Sequence, residues 1–425
     1  MKKKLSGRFW LALTIFSLMG QVAWVVENMY FNVFIYKMFH ASAADISAMV
    51  TASAVTATLT TIFMGALSDR IGKRKVFICS GYILWGISIF SFVLLREDVI
   101  SKTFSFVSSA AATGISLTII MDCLMTFFGS TANDAAFNAW LTDSVDGDNR
   151  GAAEGINAMM PLVSILVVFG GFMFFDLNKA DSWSLIYTII GILVTAVGIL
   201  GFFVIEEPKM QPRKGSYLGG IIYGFLPKTI SQNKKLYASL LAFIIFNISI
   251  QIFMPYLIIY YEVTLGMKDY VLIMAPAIIV ASVVTALWGK VYDRRGYAFS
   301  GITAVVSLLA GYAVLYLTRS TAPVFVGSLL MMSGYLCGMA VFGAFIRDHI
   351  PEGMAGRFQG VRICAQVLIP GIVGPMIGKK ILENADTVIG NDGTAAFVPN
   401  ANIFLAAAVA AVFVLPLFIK RKGNT

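Results

Sequence analysis

Apolar runs of bilayer length, each closed by a short polar cluster, recur along all 425 residues of the chain. A helix needs about 20 residues to cross about 30 Å of hydrocarbon. On that measure the pattern predicts twelve membrane helices, starting near Phe9, Ser42, Lys75, Gly114, Arg150, Trp183, Leu236, Lys268, Ala298, Pro323, Ala355 and Asn402. The expected fold class is an all-α membrane protein. The longest polar stretch runs from Glu206 through Lys209, Arg213, Lys214, Lys228 and Lys234 to Lys235, and it divides six helices from six. The expected organisation is an N-terminal six-helix bundle over 1–206, a cytoplasmic linker over 207–235 and a C-terminal six-helix bundle over 236–425. The first run, behind Lys2, Lys3 and Lys4, imitates a secretory signal, but it continues past Phe31 and reads as an uncleaved first helix.

Composition sharpens this picture. With 58% hydrophobic and 13% charged residues, the chain falls well below the roughly 25% charged residues of soluble domains. A net charge of +9 would point to nucleic acid in a soluble protein, but 24 of the 32 Lys and Arg fall in the termini and the even-to-odd connections. That asymmetry places both termini in the cytoplasm. Embedding in a plasma (inner) membrane is expected, with a small-molecule solute and the lipid bilayer as partners and no nucleic acid; the oligomeric state is left open, a monomer being one option. The four cysteines lie inside apolar segments without CxxC spacing, and His40 and His349 stand far apart in sequence. No metal or cofactor is therefore expected. The chain carries no HExxH, GxSxG or P-loop pattern, so neither an enzyme nor an ATP-driven machine is indicated.

The chain also repeats itself. Gly65-Ala-Leu-Ser-Asp69-Arg70-Ile-Gly72 after the second segment returns as Gly289-Lys-Val-Tyr-Asp293-Arg294-Arg-Gly296 after the eighth. At the ends of the fourth and tenth segments, Asp134-Ala-Ala-Phe137-Asn-Ala139-Trp-Leu-Thr-Asp143 pairs with Met339-Ala-Val-Phe342-Gly-Ala344-Phe-Ile-Arg-Asp348, followed by Arg150 and Arg357. Two matches at corresponding places mark a duplicated six-helix unit.

The loop Gly65-x-x-x-Asp69-Arg70-x-Gly72-Lys73-Arg74 resembles the signature of the major facilitator superfamily. Within it, Asp134-x-x-Phe137, the polar loop ending in Arg150, and the stretches around Trp24-Val-Val-Glu27-Asn28 and Ala139-Trp140-Leu-Thr-Asp143 resemble the glycoside-pentoside-hexuronide cation symporters, in their sucrose-transporter-like branch. The resemblance implies two pseudo-symmetric bundles that alternate access to a solute held between them. It assigns Asp134 to sugar hydroxyls and to coupling. The loop charges Asp69, Arg70, Arg150, Asp293, Arg294 and Arg357 are implied to form conformational ion pairs at the inner gate. Where the melibiose-transporter branch carries two cation-binding aspartates, this chain has Ala57 and Thr61, which argues against that sodium site and for a proton, with sodium not excluded.

A carboxylate deep in a membrane helix costs a few kcal/mol and tends to persist where it faces a cavity or a partner. Four stand out: Glu27, Asp122, Asp134 and Glu154. Counting at about 1.5 Å per residue puts Asp134 roughly 12 Å inside the cytoplasmic end, and Asp122 a further 18 Å outward, near the opposite boundary. Asn133 and Asn138 beside Asp134, together with Gln21, Trp24, Glu27, Asn28 and Asn32 on one broad face of the first segment, offer amides, a carboxylate and an indole suited to a sugar. In the seventh segment Asn247, Gln251, Tyr256 and Tyr260 are the candidates from the second half, with Tyr260 equally suited to the interfacial aromatic belt. Glu27, Asp122 and Asp134 are the candidates for cation coupling, whereas Glu154 reads as a helix N-terminal charge. For each, a purely packing role is the alternative.

Three functions remain in competition. The leading one is cation-coupled transport of a small polar solute, a sugar or glycoside. The others are proton-coupled efflux of an amphipathic compound, to which the 33 Phe and 20 Met would suit a greasy pocket, and a non-transporting membrane sensor.

Overall fold

The structure, a computed structural model, describes residues 5–104, 109–145, 147–208, 222–351, 355–389 and 395–419. Among these, ten helices are long and apolar enough to cross a membrane. One of the ten, Val271–Leu317, is broken at Gly296, and a shorter apolar helix, Asn402–Phe418, follows the last. Twelve helices result: α1 (Gly7–Phe39), α2 (Ala43–Ile71), α3 (Lys75–Leu94), α4 (Ala110–Ser144), α5 (Gly147–Phe172), α6 (Ala180–Val204), α7 (Lys234–Thr264), α8 (271–295), α9 (297–317), α10 (Thr321–His349), α11 (355–382) and α12 (Asn402–Phe418). A two-stranded hairpin, Thr387–Ile389 against Ala395–Phe397, lies between α11 and α12. The expected linker at 207–235 lies partly outside the described residues.

Local chemistry sets the ends. Ser6 accepts a hydrogen bond from Phe9 N (3.1 Å) to start α1. At α2, Ser42 and Asp45 cap each other, with Ser42 N donating to Asp45 Oδ2 (2.8 Å) and Asp45 N to Ser42 Oγ (3.2 Å). That reciprocal pair satisfies two donors a helix start leaves open. Ser109 caps α4 through Ala112 N (3.2 Å), so α4 begins at Ala110 and not at Gly114. Asp122 therefore lies twelve residues, about 18 Å, into the helix.

The repeated glycines both take a positive φ. Gly72, between α2 and α3, has φ 71°, and Gly296, between α8 and α9, has φ 75°. Glycine takes this left-handed region without the side-chain clash other residues suffer.

The chain forms two compact units, one of Met1–Ala41 with Ala52–Gly219, the other of Ser42–Thr51 with Gly220–Thr425. In the first, α3 and α6 approach almost backbone to backbone: a Cβ on Gly86 would lie 2.6 Å from Gly191 O, and one on Gly191 would lie 2.9 Å from Gly86 O. In the second, Gly311 and Gly334 let α9 and α10 close in the same way, while Gly374 and Gly378 seat α11 against Gln251, Ile252 and Tyr256 of α7. Small residues at such crossings gain packing that lipid contact cannot replace. Large apolar side chains such as Phe203 (75% exposed), Ile192 and Leu272 face outward, as a lipid-facing surface requires.

Candidate functional site

The polar core of the first unit is built on α1, α2 and α4, and two π-helical turns shape it. One covers Val26–Tyr30 in α1, the other Ser130–Phe137 in α4. Such turns are uncommon and recur at functional sites. Each holds one of the candidate carboxylates, Glu27 in the first and Asp134 in the second.

Glu27 is buried, with 6% of its surface exposed. Its Oε1 accepts from Ser53 Oγ of α2 (2.7 Å) and from Thr126 Oγ1 of α4 (2.9 Å), and these two hydroxyls lie 3.0 Å apart. Its Oε2 is buried without a hydrogen-bond partner. Asp122, one turn before Thr126 on α4, faces the same place: its carboxyl lies within electrostatic reach of Glu27 and near Ser53 without reaching hydrogen-bond geometry, and its Oδ1 is buried and unpartnered. At 2% exposure, Asp122 is enclosed by protein, twelve residues after the start of α4 at Ala110. No Lys, Arg or His among the described residues pairs with Glu27, Asp122 or Asp134.

Asp134 has its own partners. Ser130 Oγ donates to its Oδ2 (3.0 Å) and Asn133 Nδ2 approaches Oδ1 at 3.4 Å. The Trp24 indole N–H lies against the same carboxyl without reaching hydrogen-bond geometry. Asp134 is half-buried, and Glu27 lies within its electrostatic reach.

The neighbouring amides are less free than their spacing promised. Asn133 is buried and its Oδ1 accepts from Tyr82 OH (3.0 Å), which also donates toward Phe16 O (2.7 Å), so Asn133 ties α4 to α3 and α1. Asn138 is exposed and spends Nδ2 on Asp134 O (3.2 Å); Asn28 is exposed and spends Nδ2 on Trp24 O (2.8 Å). The single broad polar face expected on α1 is divided, since Glu27 turns inward to α2 and α4 while Asn28 is exposed. Gln21 is half-buried on α1. Gln251 sits in the second unit, packed where α11 presents Gly374.

Of the loop charges, Asp69 belongs to a compact network around an arginine that the candidate set left out. Arg74, 3% exposed, pairs with Asp69 and with Asp143 (3.0 Å) and donates to Ser68. Glu207 closes the network from the end of α6, accepting from Arg74 N (2.5 Å) and Lys75 N (3.1 Å) at the start of α3. Arg70, Asp293 and Arg294 are exposed. The side chains of Arg150, Glu154 and Arg357 lie outside the described residues. In the second unit, Tyr292 OH donates to Asp348 Oδ2 (3.2 Å) beside a cavity of about 270 Å³ lined in part by Trp288, Asp293 and Arg347.

Sequence reasoning also missed Ser53 and Thr126. The available signal was the hydroxyl-rich run Thr51 to Thr61 in an otherwise apolar helix.

The family model described as Major Facilitator Superfamily matches residues 9–375. None of the curated proteins matches the chain. Among solved structures, the xylose transporter XylE from E. coli is similar over 99% of this chain and 100% of its own, at 16% identity and a TM-score of 0.71. A bacterial homolog of the human lysosomal transporter Spinster is similar over 98% and 97%, at 16% identity and a TM-score of 0.70. The nucleoside transporter NupG is similar over 98% and 99%, at 13% identity and a TM-score of 0.64. Likeness at these identities shows the fold.

Proposed function

Since the chain belongs to the major facilitator superfamily, and is thus an integral membrane transporter of small molecules and not an enzyme, we propose that it carries a small polar solute, a sugar or glycoside, in symport with a proton. The observation that carries this reading is the set of three carboxyls, Glu27, Asp122 and Asp134, inside one unit, with hydroxyl and amide partners at Glu27 and Asp134 and no cation among the described residues paired to them. Carboxyls kept at such cost in a membrane bundle serve a solute or an ion. Asp134, half-buried and bordered by Trp24, is the proposed solute carboxyl: its oxygens accept hydroxyl protons and the indole offers a face to a sugar ring.

Three further observations support the substrate class and topology. The sequence around Asp134 and Trp24 resembles the glycoside-pentoside-hexuronide symporters, and two similar folds carry hydroxyl-rich solutes, xylose and nucleosides. The Lys and Arg distribution supports cytoplasmic termini in a plasma membrane.

The test is reconstitution into vesicles loaded with a pH-sensitive dye, with glycosides, disaccharides and uronides added outside in turn. One sugar should acidify the interior, and Asp134→Asn should abolish the signal. A panel silent under both proton and sodium gradients overturns the sugar reading in favour of efflux of an amphipathic compound.

A further inference from the structure

The chain reaches α7 through a segment that crosses no membrane. It consists of a single turn at Tyr223–Phe225 and a short helix, Pro227–Gln232. Pro227 opens the short helix, where its missing N–H costs nothing. Asn233 follows with φ −120° and ψ 43°, so the chain turns a corner there and the short helix does not continue the axis of α7.

Contacts within the second unit fix the level of this segment. Tyr237 OH donates to Gly224 O, thirteen residues back along the chain. The Tyr223 ring meets Phe358, in the first turn of α11, edge-on at 6.0 Å between centroids, and the Tyr237 ring stands 6.4 Å from the same Phe358. Tyr237 lies three residues into α7, about 4.5 Å along its axis. The segment is therefore folded back beside the first turns of α7 and α11, at the depth where those helices enter the bilayer.

The same contacts sort its side chains onto two sides. Gly224 and Thr229 are buried and Tyr223 is half-buried, whereas Ile222, Phe225, Leu226 and Ile230 are 40–49% exposed. Four large apolar side chains left open in a stretch too short to cross a bilayer are what an interfacial segment presents to the boundary of headgroups and acyl chains. Lys228 and Lys234 are exposed in the same stretch, and the sequence holds no Asp or Glu between Glu207 and Glu262. A lysine can lay its stem along apolar surface and keep its ammonium among the phosphates. Positive charge without neighbouring acids in sequence favours anionic over zwitterionic lipid.

We propose that residues 222–235 form a docking surface for anionic phospholipids, with Ile222, Phe225, Leu226 and Ile230 seated among the upper acyl chains and Lys228 and Lys234 at the phosphates. Because Tyr223 and Tyr237 tie the segment to the ends of α7 and α11, lipid bound here also steadies those two ends. The inference needs no solute and stands apart from the sugar reading.

The test uses the full-length protein in nanodiscs of phosphatidylcholine, with and without phosphatidylglycerol, and takes two readings. The first is amide hydrogen exchange over residues 222–233, which reports how often the segment lifts off. Phosphatidylglycerol should slow it by roughly tenfold or more, and Lys228→Gln or Lys234→Gln should each give back about fivefold. High salt should erase the gain, and neither variant should change the melting temperature. The second reading is the emission that Phe225→Trp adds to the wild-type spectrum, which lipids brominated high on the acyl chain should quench.

An added tryptophan that stays unquenched means that protein and not lipid covers the surface, and it overturns the proposal. Exchange indifferent to phosphatidylglycerol and to both lysine variants overturns it as well, since the segment would then lie on any membrane without reading its charge. Both readings are taken without solute, so neither failure touches the transport reading.

Discussion

Removal of the Arg74 side chain tests the charged network at the foot of the first unit. The guanidinium is 3% exposed and is held between Asp69 and Asp143, which are 27% and 25% exposed. Deleting one partner of a fully buried pair costs about 3–5 kcal/mol, chiefly because the other is left uncompensated. Here both carboxylates keep about a quarter of their exposure and can rehydrate, which lowers the figure to about 2–3 kcal/mol by the reasoning that exposed pairs are screened. For a unit near 200 residues, that corresponds to a fall in melting temperature of roughly 5–10 °C.

The assay is thermal unfolding of Arg74→Ala in detergent or lipid, followed by intrinsic tryptophan fluorescence. Arg74→Lys should lie between wild type and alanine, since an ammonium is one point of charge and cannot span two carboxylates as the planar guanidinium does. Adding Asp143→Asn to Arg74→Ala should recover part of the loss, because it removes one of the charges left behind. The backbone bonds from Arg74 N and Lys75 N to Glu207 are untouched by the substitution. A melting temperature within about one degree of wild type, or a double variant worse than the sum of its parts, refutes this account.

Two further outcomes follow from packing and surface charge. Gly86→Ala drives a methyl into Thr195 and the Gly191 carbonyl, neither able to yield without moving α6, so it should cost about 3 kcal/mol or more and sharply cut folded yield. Gly170→Ala, where nothing lies within 4 Å, should leave stability equal or raise it by about 0.5–1 kcal/mol, and both are read by size-exclusion yield and melting. At the other end of α3, Arg96 hydrogen-bonds Asp98 and holds its carboxyl below the ordinary range. That contact therefore contributes above the ordinary carboxylate range and is lost only as pH falls through the lowered value. Asp98 is a surface group, so Asp98→Asn should melt with the wild type at neutral pH, and a clear drop there would contradict the surface reading.

The fold was largely legible because the membrane demands it: an apolar run of some 20 residues has few alternatives to a helix. What the runs could not show was where each helix starts. At α4 that depends on the Ser109 side chain, which starts the helix at Ala110, four residues before the expected Gly114. The three acids of the site were visible because a charge in an apolar helix is conspicuous. Ser53 and Thr126 were not, since a hydroxyl in such a helix can satisfy itself on the carbonyl one turn back, as Thr118 and Thr131 do at Gly114 O and Phe127 O (2.7 Å each). Only the structure distinguishes hydroxyls turned on Glu27 from those turned on their own backbone. The same pull of the main chain acts on Asn138 and Asn28, each of which gives one amide N–H to the carbonyl one turn back while the side chain stays exposed.

The duplication separates what the backbone needs from what the chemistry needs. Gly72 and Gly296 occupy matching places in the two motifs and both have a positive φ, so the need for glycine between neighbouring helices survives in both copies. The side chains around it do not correspond. Aligned on the motif, Arg74 of the first copy becomes Ala298 in the second, and Ser68 becomes Tyr292. The first unit bridges two acids with a buried guanidinium, whereas the second reaches Asp348 with a phenol, beside a cavity of about 270 Å³. The second repeat, aligned separately, puts Met339 opposite Asp134. A duplicated bundle keeps the constraint that any helix pair imposes and is free to lose a charge that only one half uses. Glu27, Asp122 and Asp134 stand in the half that also carries the buried arginine, and the second half can differ without weakening the proposed function.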